Sequence, residues 1–360
     1  MSMIIGLDIH SKKTVYVAQN EQGEEMDRGQ IPTTAEGFAE LIHRLQPDPG
    51  TPIGLEAGTG MGWIVATLTR WGLNPQALDA REVRVRARRQ GQKSDYRDAW
   101  EICDGLRRDL FCTRVFVPNP TQARLRLLLS RRRHFVKVAT AEINAVKFLL
   151  RQHGRPYPVK SLTSAGAWLK LLAAIDDPEL QTYLTLHHRL WKLATEQAAD
   201  LQKRIADAAA PYREQLRRLQ TMPGVGPLTA AAFVAVVGEP QRFSTSSHLA
   251  SYLGLTPSTY DSGERERHGH ITKRGSAYLR ALLCEASQQA RRPSHPLNPY
   301  WRRICAKSGY KKAIVAVAHR LARILWRMWR DQTDFEVEQL NVVYEPQLVT
   351  RTQYYRLATV

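Results

Sequence analysis

The spacing of apolar positions changes along the chain, and each change predicts a different element. Met3–Ile9 and Thr14–Ala18 are rich in β-branched and apolar residues and read as strands, broken at Ser11-Lys12-Lys13. Met26–Ile31, after a Gln22-Gly23 turn, reads as a third strand. Thr34 is placed to cap a helix carrying Phe38, Leu41, Ile42 and Leu45 on one face. Short buried strands follow at Pro52–Leu55 and Pro75–Leu78, separated by a helix over Trp63–Trp71 that stops at Gly72. A further helix is predicted over Tyr96–Arg108.

Beyond residue 120 the pattern becomes helical. Leu128, Phe135, Val138, Val146 and Leu149 recur at helical spacing, in a stretch (121–155) with nine Lys or Arg and a single acid, Glu142. After a polar break at Pro156 and Pro158, the positions Leu190, Ala194, Gln197, Leu201, Ile205, Ala208 and Tyr212 form a second series, with Pro211 placed to end or kink it. Together they predict an antiparallel helical stalk, packed either as a coiled coil or as two helices with solvated basic faces. Leu228–Val237 is apolar throughout but too short for a membrane span, so it reads as a core helix. Near the end, Ile314, Val317, Leu321, Ile324, Leu325 and Met328 mark a helix over Lys311–Arg330. The predicted fold class is α/β plus α: residues 1–115 as a ribonuclease-H-like layer, 116–215 as the stalk, 216–335 as a mostly helical domain, and 336–360 as a tail.

Charge narrows the partners. Among 360 residues, Lys and Arg number 52 and Asp and Glu 34, a net charge of +18. Such a surplus favours a polyanion, nucleic acid or an anionic membrane surface. The N-terminal apolar stretch lacks a basic leader and meets Asp8 early, so it reads as a strand rather than a signal peptide. The four cysteines (Cys103, Cys112, Cys284, Cys305) show no CxxC spacing and support neither a zinc site nor a disulfide framework. A reducing, cytoplasmic setting is expected.

The acids supply candidate chemistry. Asp8 closes the first strand and Glu56 the fourth; Asp95 and Asp98 are three apart, on one face of a helix. In a ribonuclease-H-like sheet the first and fourth strands are central neighbours, and a late helix crosses them, so the four carboxylates are expected to converge. Four such groups repel one another unless cations neutralise them, and oxygen-rich sites suit Mg²⁺ or Mn²⁺. Two such ions about 4 Å apart clamp the attacking and leaving oxygens of a phosphodiester. Arg81, Arg84, Arg86, Arg88, Arg89, Lys93 and Arg97 surround the approach to Asp95, as backbone contacts beside such a centre require. Gly58-Thr59-Gly60-Met61-Gly62 follows a strand, but its spacing is GxGxG rather than GxGxxG, and it reads as a tight turn.

Two glycine-marked segments lie in the second half. Pro223-Gly224-Val225-Gly226 before an apolar helix fits a helix-hairpin-helix-like element, in which Gly224 and Gly226 let main-chain N–H groups approach a phosphate; a plain turn between core helices is the other reading. Ser262-Gly263 reads as a turn, yet Arg265, Arg267, His268, Lys273 and Arg274 follow closely, cations suited to activating a serine hydroxyl and binding the phosphate it attacks.

Taken together these motifs resemble the DEDD-type insertion-sequence transposases, the bridge-RNA-guided recombinases related to the Piv-type DNA invertases. The resemblance rests on Gly6-Leu7-Asp8, Leu55-Glu56 with Gly58-Thr59-Gly60, and Lys93-Ser94-Asp95 with Asp98-Ala99, which match that family's RuvC-like domain. It continues through Pro223-Gly224-Val225-Gly226, Leu249-Ala250 with Tyr252, Gly254-Leu255-Thr256-Pro257, Ser262-Gly263, and Ile271 through Gly275 with Leu279-Arg280, which match its transposase domain. The resemblance implies that Asp8, Glu56, Asp95 and Asp98 bind Mg²⁺ or Mn²⁺, and that Ser262, presented by another protomer, attacks a DNA phosphodiester. It also implies donor and target DNA as partners, an element-encoded bridge RNA that pairs with both, dimers that join into tetramers, and no membrane partner. Arg84, Arg88, Arg89, Lys93, Gly224, Gly226, Lys273 and Arg274 are the expected nucleic-acid contacts. Two other functions fit the same residues: a RuvC-like metal-dependent nuclease using water, and a Piv-type invertase without an RNA guide.

Overall fold

The computed structural model describes residues 3–58, 60–88, 94–155, 162–262 and 265–337. Two compact units divide after Asn119.

In the first unit, β1 (Met3–Ile9), β2 (Lys13–Asn20) and β3 (Glu25–Pro32) form an antiparallel meander. Helix α1 (Ala35–Leu45) follows, its N-terminus capped by Thr34, whose hydroxyl accepts from the Gly37 N–H. Strand β4 (Pro52–Glu56) joins β1 in parallel, with Leu7 beside Leu55. Helix α2 (Met61–Arg70) leads to β5 (Asn74–Leu78), which pairs in parallel with β4. The order β3-β2-β1-β4-β5 places β1 and β4 at the centre and is consistent with the expected ribonuclease-H-like layer. Ile5, Leu7, Ile53 and Leu55 alternate into one core with Phe38, Leu41, Ile64 and Leu68.

On the opposite face lies α4 (Asp95–Arg107), preceded by α3 (Ala80–Arg88). Helix α3 is not expected from the sequence, because its only large apolar residues, Val83 and Val85, set no helical period among its arginines. Two glycines seat α4. A Cβ at Gly6 would lie 2.3 Å from the Ala99 carbonyl oxygen, and one at Gly54 would lie 2.8 Å from Ile102 Cγ2. Bare backbone on both central strands therefore brings the helix close enough to carry its first turn over the strand ends.

The second unit is helical apart from one hairpin. Helices α5 (Pro120–Gln152) and α7 (Pro178–Ala208) run antiparallel: His153 faces Asp177 across 3.8 Å and His187 Nδ1 lies 2.6 Å from Glu142 Oε2. Between them, α6 (Ala165–Ala173) caps the far end, where Trp168 packs with Val146, Leu150, Leu184 and Trp191. The buried stripe of α7 is Trp191, Ala194, Ala198, Leu201, Ile205 and Ala208. This corrects the expected series at two positions, since Leu190 and Gln197 are exposed and the next residues, Trp191 and Ala198, are buried in their place, while Ala194, Leu201, Ile205 and Ala208 are buried as expected. The helix also stops at Ala208, before Pro211.

Helices α8 (Arg213–Gln220) and α9 (Pro227–Val237) come next, with α9 buried along nearly its whole length, as expected of its uniform apolarity. Then follow α10 (Ser246–Tyr252), the antiparallel strands β6 (Pro257–Ser262) and β7 (Arg265–Ile271), α11 (Ala277–Ser287), α12 (Asn298–Ser308) and α13 (Tyr310–Asp331). Phe233, Leu249, Leu283, Leu321 and Leu325 meet in one core that also takes Leu125 and Leu129 of α5 and Ile205 of α7. Among the described residues, no helix is long and apolar enough to cross a membrane. Most of the expected tail, residues 338–360, lies outside the described residues.

Candidate metal centre and nucleic-acid interface

Asp8 stands at the last turn of pleat in β1, and parallel pairing sets Glu56 at the matching end of β4. Asp95 and Asp98 occupy the first turn of α4, whose N-terminus is fixed by Ser94 accepting from the Arg97 N–H. Asp98, Asp95 and Glu56 all act on Asp8. Burial pushes the Asp8 carboxyl above its ordinary range, neighbouring His10 pulls it back down, and the charges of Asp98, Asp95 and Glu56 push it up again. Asp8 thus feels the charge of each of the other three expected acids.

The partners differ. Asp95 is half-exposed, and the Lys13 ammonium at 2.8 Å holds its carboxyl below the usual range. Glu56 Oε1 lies 3.8 Å from the Arg84 guanidinium. By contrast Asp8 Oδ2 and Asp98 Oδ1 are buried with no hydrogen-bond partner. An orphaned carboxylate oxygen costs several kcal/mol in such surroundings, of order 1–3 even for neutral groups, unless something positive meets it. Two of them in a four-acid cluster fit a divalent cation, and hard oxygen donors of this kind suit Mg²⁺ or Mn²⁺. The ligand atoms of Asp8, His10 and Asp95 all lie within 4.8 Å of one another.

His10 and Lys13 were not foreseen as parts of this centre. One signal was available for His10: residues i and i+2 of a strand share a face, so His10 follows Asp8 to the same side. Lys13 needs the tight β1–β2 connection to bring it back, which composition does not reveal.

Two family profiles match this sequence. One, described as a transposase and carrying the DEDD designation, matches residues 5–154, and the other, the transposase IS116/IS110/IS902 family, matches residues 216–302. Together they span about two thirds of the chain and take in all four acids and Ser262.

The chain belongs to the DEDD-type insertion-sequence transposases. It is accordingly a DNA transposase, an enzyme class that cuts and recombines DNA. Relatives include the transposase for insertion sequence element IS1111A of Coxiella burnetii, 27% identical over 78% of this chain and 78% of that one. The transposase for insertion sequence element IS1328 of Yersinia enterocolitica is 23% identical over 92% of this chain and 98% of its own. A probable family 20 transposase of Pseudomonas aeruginosa is 27% identical over 68% of this chain and 74% of its own.

The second unit of this transposase holds the remaining expected residues. Ser262 ends β6 and pairs with Arg265 of β7; Gly263 lies outside the described residues. Lys273 and Arg274 are exposed, directly after β7. Their main chain is clamped: a Cβ at Gly254 would lie 2.3 Å from the Arg274 nitrogen, and one at Gly275 would lie 2.2 Å from the Tyr252 carbonyl oxygen. Arg280 Nη1 donates to the carbonyls of Leu253 and Arg274, closing the same joint. The segment from Ile271 to Gly275 is thus a closely packed corner that carries two exposed cations.

Gly224, at φ +85°, turns the chain between α8 and α9 where a Cβ would lie 2.9 Å from the Ala286 carbonyl oxygen, so this glycine is needed for packing. Gly226 caps α9, and a Cβ there would meet nothing within 4 Å. In the first unit Arg84 is exposed on α3; Arg88 ends that helix, and Arg89 and Lys93 lie outside the described residues.

Proposed function

We propose that this transposase works through a divalent cation held by Asp8, Glu56, Asp95 and Asp98, with Ser262 as the nucleophile. The observation that carries the reading is the pair of buried oxygens that make no hydrogen bond, Asp8 Oδ2 and Asp98 Oδ1, in a cluster where the charges of Asp98, Asp95 and Glu56 add to burial in raising the proton affinity of Asp8. The cation, Mg²⁺ or Mn²⁺, supplies positive charge where the reacting phosphate gains negative charge.

The protein's own groups do the rest. Ser262 Oγ attacks the phosphorus of a DNA strand and its proton passes to solvent or a basic neighbour. The bond from phosphorus to the leaving deoxyribose oxygen breaks, and that oxygen takes up a proton. A seryl phosphodiester links protein to one DNA end, and attack by a hydroxyl of the other DNA reverses the chemistry and frees the serine, so no phosphodiester is lost to water. Ser262 is presented by a partner protomer. Exposed Tyr183, Leu186, Leu190 and Leu193, spaced along α7, support an association surface for dimers and for their pairing into tetramers. Lys273 and Arg274 at their closely packed corner, Arg84 beside Glu56, Arg88, Arg89 and Lys93, and the main chain around Gly224 and Gly226, hold phosphates of donor and target DNA.

An element-encoded bridge RNA pairs with both DNAs and chooses the sites; the charge of +18 suits an RNA-plus-DNA load. The test is a paired assay on purified protein. Ser262→Ala is expected to lose strand transfer by on the order of 10³-fold or more while DNA binding persists. Retained cutting by that variant supports instead a nuclease that uses water. Sequencing of nucleic acid copurified from the native host is expected to return RNA from the element, and its absence supports an unguided invertase.

A further inference from the structure

His10 is exposed on one side yet fixed at its main chain. Its N–H donates to the Lys13 carbonyl, and its own carbonyl accepts from the Thr33 hydroxyl at 2.9 Å. The ring reaches into the acid cluster: Nε2 lies 3.1 Å from Asp8 Oδ2 and 3.4 Å from Asp95 Oδ1. The shorter approach is not a hydrogen bond, since Asp8 Oδ2 has no such partner.

These spacings have a meaning in coordination chemistry. Neighbouring ligands of an octahedral ion, each about 2.1 Å from it, sit about 3 Å apart. The two separations at Nε2 are close to such edges, with the imidazole nitrogen between two carboxylate oxygens. The strand explains why the ring is there: Asp8 and His10 share one face of the chain at the end of β1, and α4 brings Asp95 onto that face.

We propose that His10 is itself a ligand of the cation, so that the centre is a mixed nitrogen–oxygen site whose preference is moved from Mg²⁺ toward Mn²⁺. The inference rests on the metal reading of the carboxylates given above. Imidazole nitrogen gains little from Mg²⁺, which prefers oxygen and keeps its waters, and more from transition ions, among which Mn²⁺ also accepts carboxylates. The fixed main chain of His10 lowers the entropy cost of holding the ring in place.

The experiment uses the full chain, freed of nucleic acid and stripped with chelator. Mn²⁺ is added, and pulsed electron paramagnetic resonance reads nitrogen coupling to the ion; calorimetry measures Mn²⁺ and Mg²⁺ affinity. Imidazole nitrogen coupling is expected in the unsubstituted protein and absent in His10→Ala and His10→Gln. In those variants Mn²⁺ affinity falls on the order of tenfold, and Mg²⁺ affinity by less than about threefold. Circular dichroism confirms that the variants are folded. If Asp8→Asn abolishes Mn²⁺ binding while the coupling is absent from the unsubstituted protein, or survives His10→Ala, the role of His10 is overturned and the carboxylate site stands. If Asp8→Asn leaves binding of both ions unchanged, or if the unsubstituted protein binds neither at millimolar concentration, the carboxylate reading itself falls.

Discussion

Gly6 lies directly beneath Cys103: a Cβ on Gly6 would sit 2.5 Å from the Cys103 nitrogen. Strand and helix backbones touch at this point, and the acids of both depend on it, since Asp8 lies two residues further along β1 and Asp98 lies beside Ala99, whose carbonyl is the other backbone group facing Gly6. Gly6→Ala is expected to push the helix outward at an overpacking cost of about 1–3 kcal/mol, read as a lower urea midpoint. Its divalent-ion affinity should fall well beyond that of Ile324→Val, a core change of similar cost in the other unit. Equal affinities in the two variants contradict the claim that this contact positions the acids.

The Asp8 carboxylate is a liability without its cation. Its proton affinity is raised in the folded protein, first by burial and then by Asp98, Asp95 and Glu56. The sign follows from linkage: a carboxyl raised on folding contributes stability below its unfolded value, near pH 3.8, and that contribution is lost as pH climbs through the folded value. At pH 7 in chelator, Asp8→Asn is therefore expected to melt higher than the unsubstituted protein. Saturating Mn²⁺ should reverse the order, because only the unsubstituted protein gains binding energy. Thermal melts in both conditions check this.

Cys103 should be chemically silent. Burial pushes its thiol up to about 12, and its sulfur donates to the Ile4 carbonyl. Iodoacetamide at pH 8 is expected to label exposed Cys112 and to leave Cys103 unmodified until denaturant is added. Peptide mapping by mass spectrometry reads both sites, and early labelling of Cys103 means that α4 is not seated on β1 as described.

Acid should weaken the second unit through His319. Burial, then the nearby Arg323, pulls its pKa down to about 4. The folded chain holds the ring neutral, whereas the unfolded chain protonates near its ordinary value of about 6.5. The stability due to neutrality is complete above that value and drains away as pH falls toward 4. His319→Gln should show a smaller loss in urea midpoint between pH 7 and pH 4.5 than the unsubstituted protein.

How much of this was legible beforehand depends on the range of the interaction. The five strands of the first unit follow from local alternation and α1 from its Thr34 cap, and the bounds of those strands and of α4 are readable to within a residue or two, whereas β6 and β7 carry no such pattern. The four expected acids stand out in the sequence because each lies at or near the end of such an element. Short elements without a clean period escaped: α3 is mostly charged, and α6 is short and follows the proline-marked break. The α7 face is ambiguous at Leu190-Trp191 because both residues are apolar; packing with Val146, Leu150 and Trp168 buries Trp191 and leaves Leu190 exposed. Lys13 reaches Asp95 only through the pairing of β1 with β2 and the seating of α4, which residue spacing does not encode. The glycines at 254 and 275 look like loop residues in the sequence; their need comes from backbones that meet across the joint.

The most direct measurement is the identity of the atom that carries DNA in a trapped intermediate. Protein incubated with Mn²⁺ and cognate nucleic acids, quenched in denaturant and digested with protease and nuclease, is examined by mass spectrometry for a nucleotide remnant. The account predicts a phosphodiester on the peptide containing Ser262, lost in both Ser262→Ala and Asp8→Asn. A remnant on any other side chain, or efficient cutting with no remnant at all, contradicts it.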